Sequence, residues 1–303
     1  MIEFHKPTLA DKEWVTHCLV GEDRRGCEYS FAGMLGWGPA YGREIAQWEG
    51  WFLSRSMGRG GHVYLWPAGT GELPKALEAI EADAQALGEP VRFICLTREQ
   101  ARELERLRPG QFDIREDRDN FDYLYEVDKL SDLAGRKLHS KRNHCKRFEE
   151  NNPDWVYEDM TEEAIPECME VDAAWEERSR EREGASEAQD MADEKRAMVT
   201  TLENFRALNA EGGLIRVEGR VVAFTVGSPI CADTFDVHFE KALGEIQGAY
   251  AMINREFARR IRQRHPQVRY LNREEDMGLE GLRKAKESYY PDLLLEKYVA
   301  VRI

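Results

Sequence analysis

The alternation of apolar and polar positions is clearest in the second half of this 303-residue chain. Leu214-Ile-Arg-Val217 and Arg220 to Val226 read as two strands joined across Glu218-Gly219, a two-residue hairpin connection. Thr234-Phe-Asp-Val-His-Phe239 alternates with period two and predicts a third strand. A helix follows from about Gly248 to Arg264, because Ala249, Ile253, Phe257 and Ile261 recur at every fourth position on one stripe. Val268-Arg-Tyr-Leu271 predicts a short strand, and Gly278 to Ser288 a short helix that Pro291 stops. Leu293 to Val301 closes the chain as a last strand, so the order is β-β-β-α-β-α-β.

Part of that order recurs in the first half. His62 to Trp66 predicts a strand, and Pro74 to Leu87 a helix with proline at its start, where the missing N–H is not needed. Val91 to Leu96 predicts a buried strand. Thr97, with Gln100 three positions on, caps a helix to about Leu107. Phe121 to Val127 predicts the next strand, and Gly58 to Gly61 a turn. The shared β-α-β-α-β tail predicts a structural duplication, carried by pattern and not by sequence identity. Between the halves, Arg136 to Arg147 has six Lys or Arg, two His and no acid. Glu158 to Glu194 is acid-rich and helical in composition, divided by Pro166 and Gly184; Trp155 and Trp175 suggest docking on a core.

Composition narrows the class. A hydrophobic fraction of 42% excludes a disordered chain, and a net charge of −14 disfavours a general nucleic-acid coat while leaving room for one local basic groove. No apolar run approaches the ~20 residues of a membrane helix, and the N-terminus lacks signal-peptide features, which predicts a cytoplasmic protein without a transmembrane segment. Cys18, Cys27, Cys95, Cys145, Cys168 and Cys231 are scattered, which predicts reduced thiols. Neither a Walker loop, nor metal-ligand spacing, nor a nucleophile elbow is visible.

Several stretches together carry a family resemblance. They are Asp122-Tyr-Leu-Tyr125, Leu133 to Asn143 with Phe148, His238-Phe-Glu-Lys-Ala242, Asn272-Arg-Glu-Glu-Asp-Met-Gly278, Leu282-Arg-Lys-Ala-Lys286 and Tyr289-Tyr-Pro291. They resemble a bacterial family similar to the C-terminal catalytic part of phosphatidylglycerol lysyltransferase, over nearly the whole chain. The resemblance implies a mixed α/β protein of two tandem GNAT-like (acyl-CoA N-acyltransferase-like) domains with additional helices, related in fold and donor to Fem-type aminoacyltransferases. It also implies transfer of an amino acid from aminoacyl-tRNA. The membrane-spanning part of the lysyltransferase has no counterpart in this sequence, so the acceptor stays open between a lipid head group and another amine or hydroxyl.

Candidate residues divide into donor and reaction sites. A CoA-using GNAT domain resembles Arg/Gln-x-x-Gly-x-Gly/Ala at the start of its central helix, where N–H groups hold a pyrophosphate. Here the stretch is Glu245-Ile-Gln247-Gly248-Ala-Tyr250; Gln247 and Gly248 fit, while Glu245 brings the wrong charge and Tyr250 bulk. On a helix Lys137, Lys141 and His144 share one face, and Arg142 and Lys146 the next, so with Asn143 they offer a phosphate-binding surface. A solvated helix paired with the acidic segment would explain the same run. At the end of a predicted strand, Asn272, Arg273, Glu274, Glu275 and Asp276, with Arg283, Lys284 and Lys286 beyond, form the densest constellation, and Tyr289 is a further binding candidate. There Asp276 or Glu274 would hold an ammonium or accept a proton, and Arg283 or Lys286 would stabilise an oxyanion or phosphate; an ordinary charged turn is the competing reading. His238 and Glu240, two apart on one strand, would form a base-and-orienter pair or line the acyl pocket. Trp37, Tyr41, Trp48 and Trp51 are expected in the core of the first domain.

These readings place a degenerate domain in 1–130 and the active one in 131–303. The leading expectation is an aminoacyl-tRNA-dependent aminoacyltransferase that acts by direct transfer, with no tightly bound cofactor, on a lipid head group or another amine or hydroxyl. An acetyl-CoA-dependent N-acyltransferase and a non-catalytic ligand- or RNA-binding module on the same scaffold are the alternatives.

Overall fold

The structure is a computed structural model that describes residues 2–19, 24–183 and 188–303. Helices α1 (Lys12–Leu19) and α2 (Phe31–Tyr41) lead into strands β1 (Glu44–Trp48), β2 (Trp51–Gly58), β3 (Gly61–Tyr64) and β4 (Ala68–Gly69). Then come α3 (Leu73–Ala86), β5 (Arg92–Leu96), α4 (Arg98–Leu107), β6 (Phe112–Glu116), β7 (Asp122–Glu126), α5 (Val127–Asp132), α6 (His139–Asn151) and β8 (Val156–Asp159). The acid-rich segment forms α7 (Ile165–Glu183) and α8 (Ala188–Glu203); Gly184, expected to divide it, lies outside the described residues. The rest is β9 (Glu211–Val217), β10 (Arg220–Cys231), β11 (Thr234–Ala242), α9 (Ala249–Arg264), β12 (Tyr270–Asn272), α10 (Glu280–Glu287), β13 (Leu293–Leu295) and β14 (Tyr298–Arg302).

Local signals are realised where the physics is local. Glu218 (φ 50°) and Gly219 (φ 76°) are both left-handed, the requirement of a type I′ hairpin turn between β9 and β10. Thr97 and Gln100 form the reciprocal capping box of α4, with N–H to side-chain distances of 3.2 and 2.9 Å.

Two mixed sheets result, in the two-unit GNAT-like arrangement. The first runs β1-β2-β3-β5-β14-β6, with β4 beside β2; the second runs β13-β7-β12-β11-β10-β9-β8. A division near residue 130 does not separate them. Strand β7, on the early side of that division, pairs with β12 and β13 in the second sheet, and β14, the last strand of the chain, pairs with β5 and β6 in the first. The single final strand expected over 293–301 is therefore two strands in different sheets, broken at Glu296 and Lys297. Strand β6 is an element the sequence pattern did not suggest.

Packing follows this exchange. Leu77, Ile80, Phe93 and Leu104 form a smaller core under α3 and α4. One larger core takes Phe52 and Tyr29 from the first part of the chain together with Phe148, Phe224, Phe235 and Phe257 from the second. Helix α2 crosses α8 so closely that a Cβ on Gly36 would lie 3.0 Å from the Ala197 carbonyl oxygen. Trp51 is buried as expected, but Trp37 and Tyr41 stack on each other at 5.9 Å and Tyr41 stays 42% exposed.

Helices α7 and α8 dock by burying charge. Asp172 of α7 is buried, with Lys195 of α8 3.9 Å away. Burial pushes its carboxyl up from 3.8 to about 6, against the pull of Lys241 and Lys195. A raised carboxyl stabilises the fold below its unfolded value and loses that contribution as pH rises through its folded value. The Asp172→Asn variant should therefore match the wild type near pH 4 and be the more stable by about 2–3 kcal/mol at pH 8, roughly the free energy of a two-unit shift. Melting curves from pH 4 to 8 test this; parallel curves would remove Asp172 from the account.

Candidate active site

Strands β11 and β12 are parallel and pair over three residues only, ending at Asp236 opposite Asn272. Beyond that point pairing stops and a wedge opens, lined by β11 on one side and by the segment after β12 on the other. Strand β10 helps to aim the β11 side chains. Its register against β11 steps from Val226–Phe239 to Gly227–Val237, leaving His238 as the extra residue of a bulge. Only glycine fits at 227, where a Cβ would lie 2.0 Å from the Asp236 carbonyl oxygen.

His238 is buried with Nε2 2.8 Å from Ser228 Oγ and Nδ1 3.3 Å from Glu274 Oε1. Its Nδ1 also lies 3.4 Å from Asp236 Oδ2. Glu274 sits in a left-handed turn (φ 57°), and its N–H donates to Asn272 Oδ1 at 2.7 Å, a local Asx-type brace. Burial raises the Glu274 carboxyl, opposed by His238 and reinforced by Glu275. Glu240 does not pair with His238. It accepts from Arg273 Nη2 at 2.9 Å and from Asn254 Nδ2 at 3.1 Å, because the bulge separates the two side chains' partners. The expected base-and-orienter pair is thus replaced by His238 with Glu274.

An aromatic and cationic wall adjoins these groups. Arg273 stacks on Tyr289 at 5.0 Å, and Lys141 Nζ lies 4.0 Å from the same ring's centre. Burial and the Arg273 charge both lower the Lys141 ammonium. Helix α6 begins at His139, so Lys137 precedes it and reaches Tyr290 at 5.2 Å instead of extending a helical face. Arg142 donates to the carbonyls of Leu133 and Gly135 and is a brace for that loop, while Asn143 meets His139 at 3.2 Å on the exposed side. Among the described residues, the ion pairs do not join α6 to α7 or α8.

The other members of the constellation are brought close but are committed to each other. Asp276 is fully buried and accepts from Arg283 (2.8 and 2.7 Å), Arg118 (3.1 Å), Tyr123 and the Gly278 N–H (2.9 Å). Burial opposes its ionisation, yet Arg283, Tyr123 and Gly278 together hold the carboxyl far below the usual range. Arg283 also bonds Asp119 at 2.7 Å. Lys286 donates to the carbonyls of Arg273 (2.5 Å) and Glu275. Asn272 donates to the Arg25 carbonyl at 2.8 Å and to Asp122 at 2.9 Å. These four hold the loop between β12 and α10: both Asp276 oxygens are spent on it, and Arg283 is tied to it through Nε and Nη2.

Sequence reading did not single out the groups beneath the wedge. Lys297, at the crossover between sheets, pairs with Asp122 (2.6 Å) and Glu28 (2.8 Å). Cys27 donates its N–H to Asp122 at 2.8 Å and its thiol to Glu275 at 3.2 Å; burial, then Asp122 and Glu275, raise that thiol well above its ordinary value, which makes it a poor nucleophile. Asp236 carries the one signal available beforehand, since it precedes His238 by two positions on the same strand. Tyr41 adds a phenol near the site, pushed up to about 12 by burial and by Glu275.

At the start of α9 the expected donor loop is occupied by protein. Gly248 has φ 87°, and a Cβ there would lie 2.3 Å from the His144 carbonyl oxygen, so its glycine serves the close approach of α6. Glu245 is neutralised by Arg178 of α7 at 2.7 Å, so charge repulsion is not what closes the groove; Arg178 and Trp175 are. Gln247 is exposed beside it. The remaining cavity, also lined by Gly244 and Tyr250, measures about 70 Å³, against roughly 300–1,000 Å³ for small-molecule sites.

Comparison with known proteins agrees with this architecture. A conserved protein of unknown function from Bacteroides thetaiotaomicron VPI-5482 is 39% identical over the full length of both chains, with a TM-score of 0.92. The structure of L-PGS from Bacillus licheniformis is 15% identical, covers 96% of this chain and 92% of that one, and has a TM-score of 0.65. FemX, 9% identical over 98% and 97% of the two chains, has a TM-score of 0.59 and shares the fold. Among curated proteins there is no significant match. Residues 21–301 match the model of the phosphatidylglycerol lysyltransferase C-terminal family, and the chain belongs to that family of acyltransferase fold.

Proposed function

We propose that this protein transfers an aminoacyl group from aminoacyl-tRNA to an amine or hydroxyl acceptor at the wedge between β11 and β12. The observation that carries this reading is the closure of the α9 N-terminus by α6 and by Arg178, which argues for a donor other than CoA. Lys141, partly exposed over the Tyr289 ring beside Arg273, suits the phosphate of a nucleic-acid 3′ end through charge. Glu274, backed by His238, is the carboxylate suited to hold the aminoacyl ammonium or to take the acceptor's proton. Transfer is direct: the acceptor attacks the ester carbonyl, the tRNA hydroxyl leaves, and no enzyme nucleophile is needed. The acceptor is a lipid head group or a soluble metabolite. No helix among the described residues is long and apolar enough to cross a membrane.

A labelled, mixed aminoacyl-tRNA pool incubated with the protein and a cell extract containing lipids and metabolites tests this. Label should enter a new product, with transfer reduced by about 100-fold or more in Glu274→Gln, the usual scale of a proton-transfer group. Lys141→Ala should weaken tRNA binding and flatten its salt dependence. Saturable acetyl-CoA binding without aminoacyl transfer would replace this reading with the CoA-dependent one. Binding of tRNA with no transfer would leave a non-catalytic module.

A further inference from the structure

We propose that Asp236, His238 and Glu274 form a binding site for one divalent cation, of the zinc class by ligand type. One oxygen of Asp236, Nδ1 of His238 and one oxygen of Glu274 all lie within 4.8 Å of one another. The His238 Nδ1 distances are 3.4 Å to Asp236 and 3.3 Å to Glu274. Ligands about 2.0–2.1 Å from a tetrahedral ion stand about 3.3–3.4 Å apart, the length of the two edges that start at His238 Nδ1. As hydrogen bonds the same contacts are long.

A second, independent observation comes from Asp236 itself. It is fully buried, and neither of its carboxylate oxygens has a hydrogen-bond partner among the described residues. A buried carboxylate is almost always given donors or a counter-charge, because leaving it bare costs several kcal/mol or forces it to keep its proton. Nearby side-chain cations are engaged elsewhere. Lys297 is held by Asp122 and Glu28, and Lys286 by two backbone carbonyls. Glu274, Glu275 and Asp122 add negative charge around Asp236.

The surroundings suit a metal-binding histidine. Ser228 Oγ, 2.8 Å from Nε2, can accept the ring N–H and leave the Nδ1 lone pair facing the two carboxylates, the outer-partner arrangement that orients such ligands. The bulge at 238 sets the ring beside Asp236. A neighbouring trio, Cys27, Asp122 and Glu275, has similar spacing. There, however, Lys297 supplies the charge, the Cys27 N–H donates to Asp122 and its thiol to Glu275, so the same need does not arise. Three protein ligands leave a coordination position open to water or to a substrate oxygen. The site stands whichever donor the wedge takes; an ion there takes Glu274 as a ligand, so the ammonium or proton role given to Glu274 above belongs to the metal-free protein.

Titration of the chelator-treated protein with Zn²⁺, and separately with Co²⁺, tests the assignment. The expected result is one ion per chain, a melting temperature that rises with metal concentration, and the visible absorption of low-symmetry four- or five-coordinate Co²⁺. Asp236→Asn and His238→Gln should each weaken binding by more than about 100-fold, and Ser228→Ala by about 10-fold, as expected for an outer partner. If Asp236→Asn does not fold, His238→Gln carries the comparison. Absence of any metal-dependent shift or spectrum in the wild type overturns the proposal, as does unchanged metal affinity in both ligand variants. Stabilisation through Asp236 by an amino-acid amide, with Zn²⁺ and Co²⁺ inert, also overturns it and makes the trio an ammonium site.

Discussion

Replacing Lys297 by Met is expected to destabilise the protein by about 3–5 kcal/mol, the usual cost of removing one partner from a buried ion pair. The ammonium is enclosed between Asp122 at 2.6 Å and Glu28 at 2.8 Å, and all three side chains are nearly or fully buried. Burial disfavours the charged lysine, but the carboxylates of Asp122 and Glu28 outweigh it and hold the ammonium well above its ordinary value. Without it, the two carboxyls face each other in a dry interior and at least one must take up a proton. Glu28 precedes α2, Asp122 begins β7 in the second sheet, and Lys297 begins the crossover into β14 of the first. The loss should therefore loosen the junction of the sheets, and a fall in Tm on the order of 10 °C is expected at neutral pH. Thermal melts should also show Lys297→Met recovering at acid pH, where the carboxyls are neutral. A loss under about 1 kcal/mol at pH 7 would mean that water reaches the group and the pair is screened.

Asp276→Asn should cost about 3 kcal/mol of stability, because charged hydrogen bonds are worth roughly 1.5–3 kcal/mol each and are not additive. The carboxylate collects Arg283, Arg118, Tyr123 and the Gly278 N–H; an amide keeps the shape but loses the charge and presents an N–H to one arginine. The sign with pH is opposite to that of Asp172. A depressed carboxyl stabilises the fold above its unfolded value and loses that contribution as pH falls toward its folded one, so wild type and variant should begin to converge below about pH 4 and meet only well below it. Any loss of transfer in this variant should track its loss of folded protein. Full stability with abolished transfer would return Asp276 to the reaction itself.

Much of the fold was legible because its causes are local. The Glu218-Gly219 turn, the Thr97 and Gln100 box and the four-residue stripe of α9 act over a few residues, and each element formed where its pattern stands. The run Leu293 to Val301 shows the limit: its residues suit a strand throughout, but which sheet each half joins depends on β7, β5 and β6, far away in the chain.

The site divides in the same way. Strand residues His238 and Glu240 and the segment 272–286 stand out by residue type, and folding brings them together through the His238–Glu274 and Glu240–Arg273 contacts. Sequence could not show that Asp276 and Arg283 spend their atoms on each other, nor that Gly248 makes room for the His144 carbonyl and not for a phosphate. Nor could spacing reveal Asp236, His238 and Glu274 as one trio, since 36 residues separate His238 from Glu274 and the bulge that aligns them arises from pairing with β10. By itself, then, the sequence determined the elements, the family and the chemical types present, because propensity, caps and motifs act along the chain. Only the tertiary structure decided which charges are spent on stability and which stand ready, because burial and partnership belong to neighbours that the chain brings together by folding.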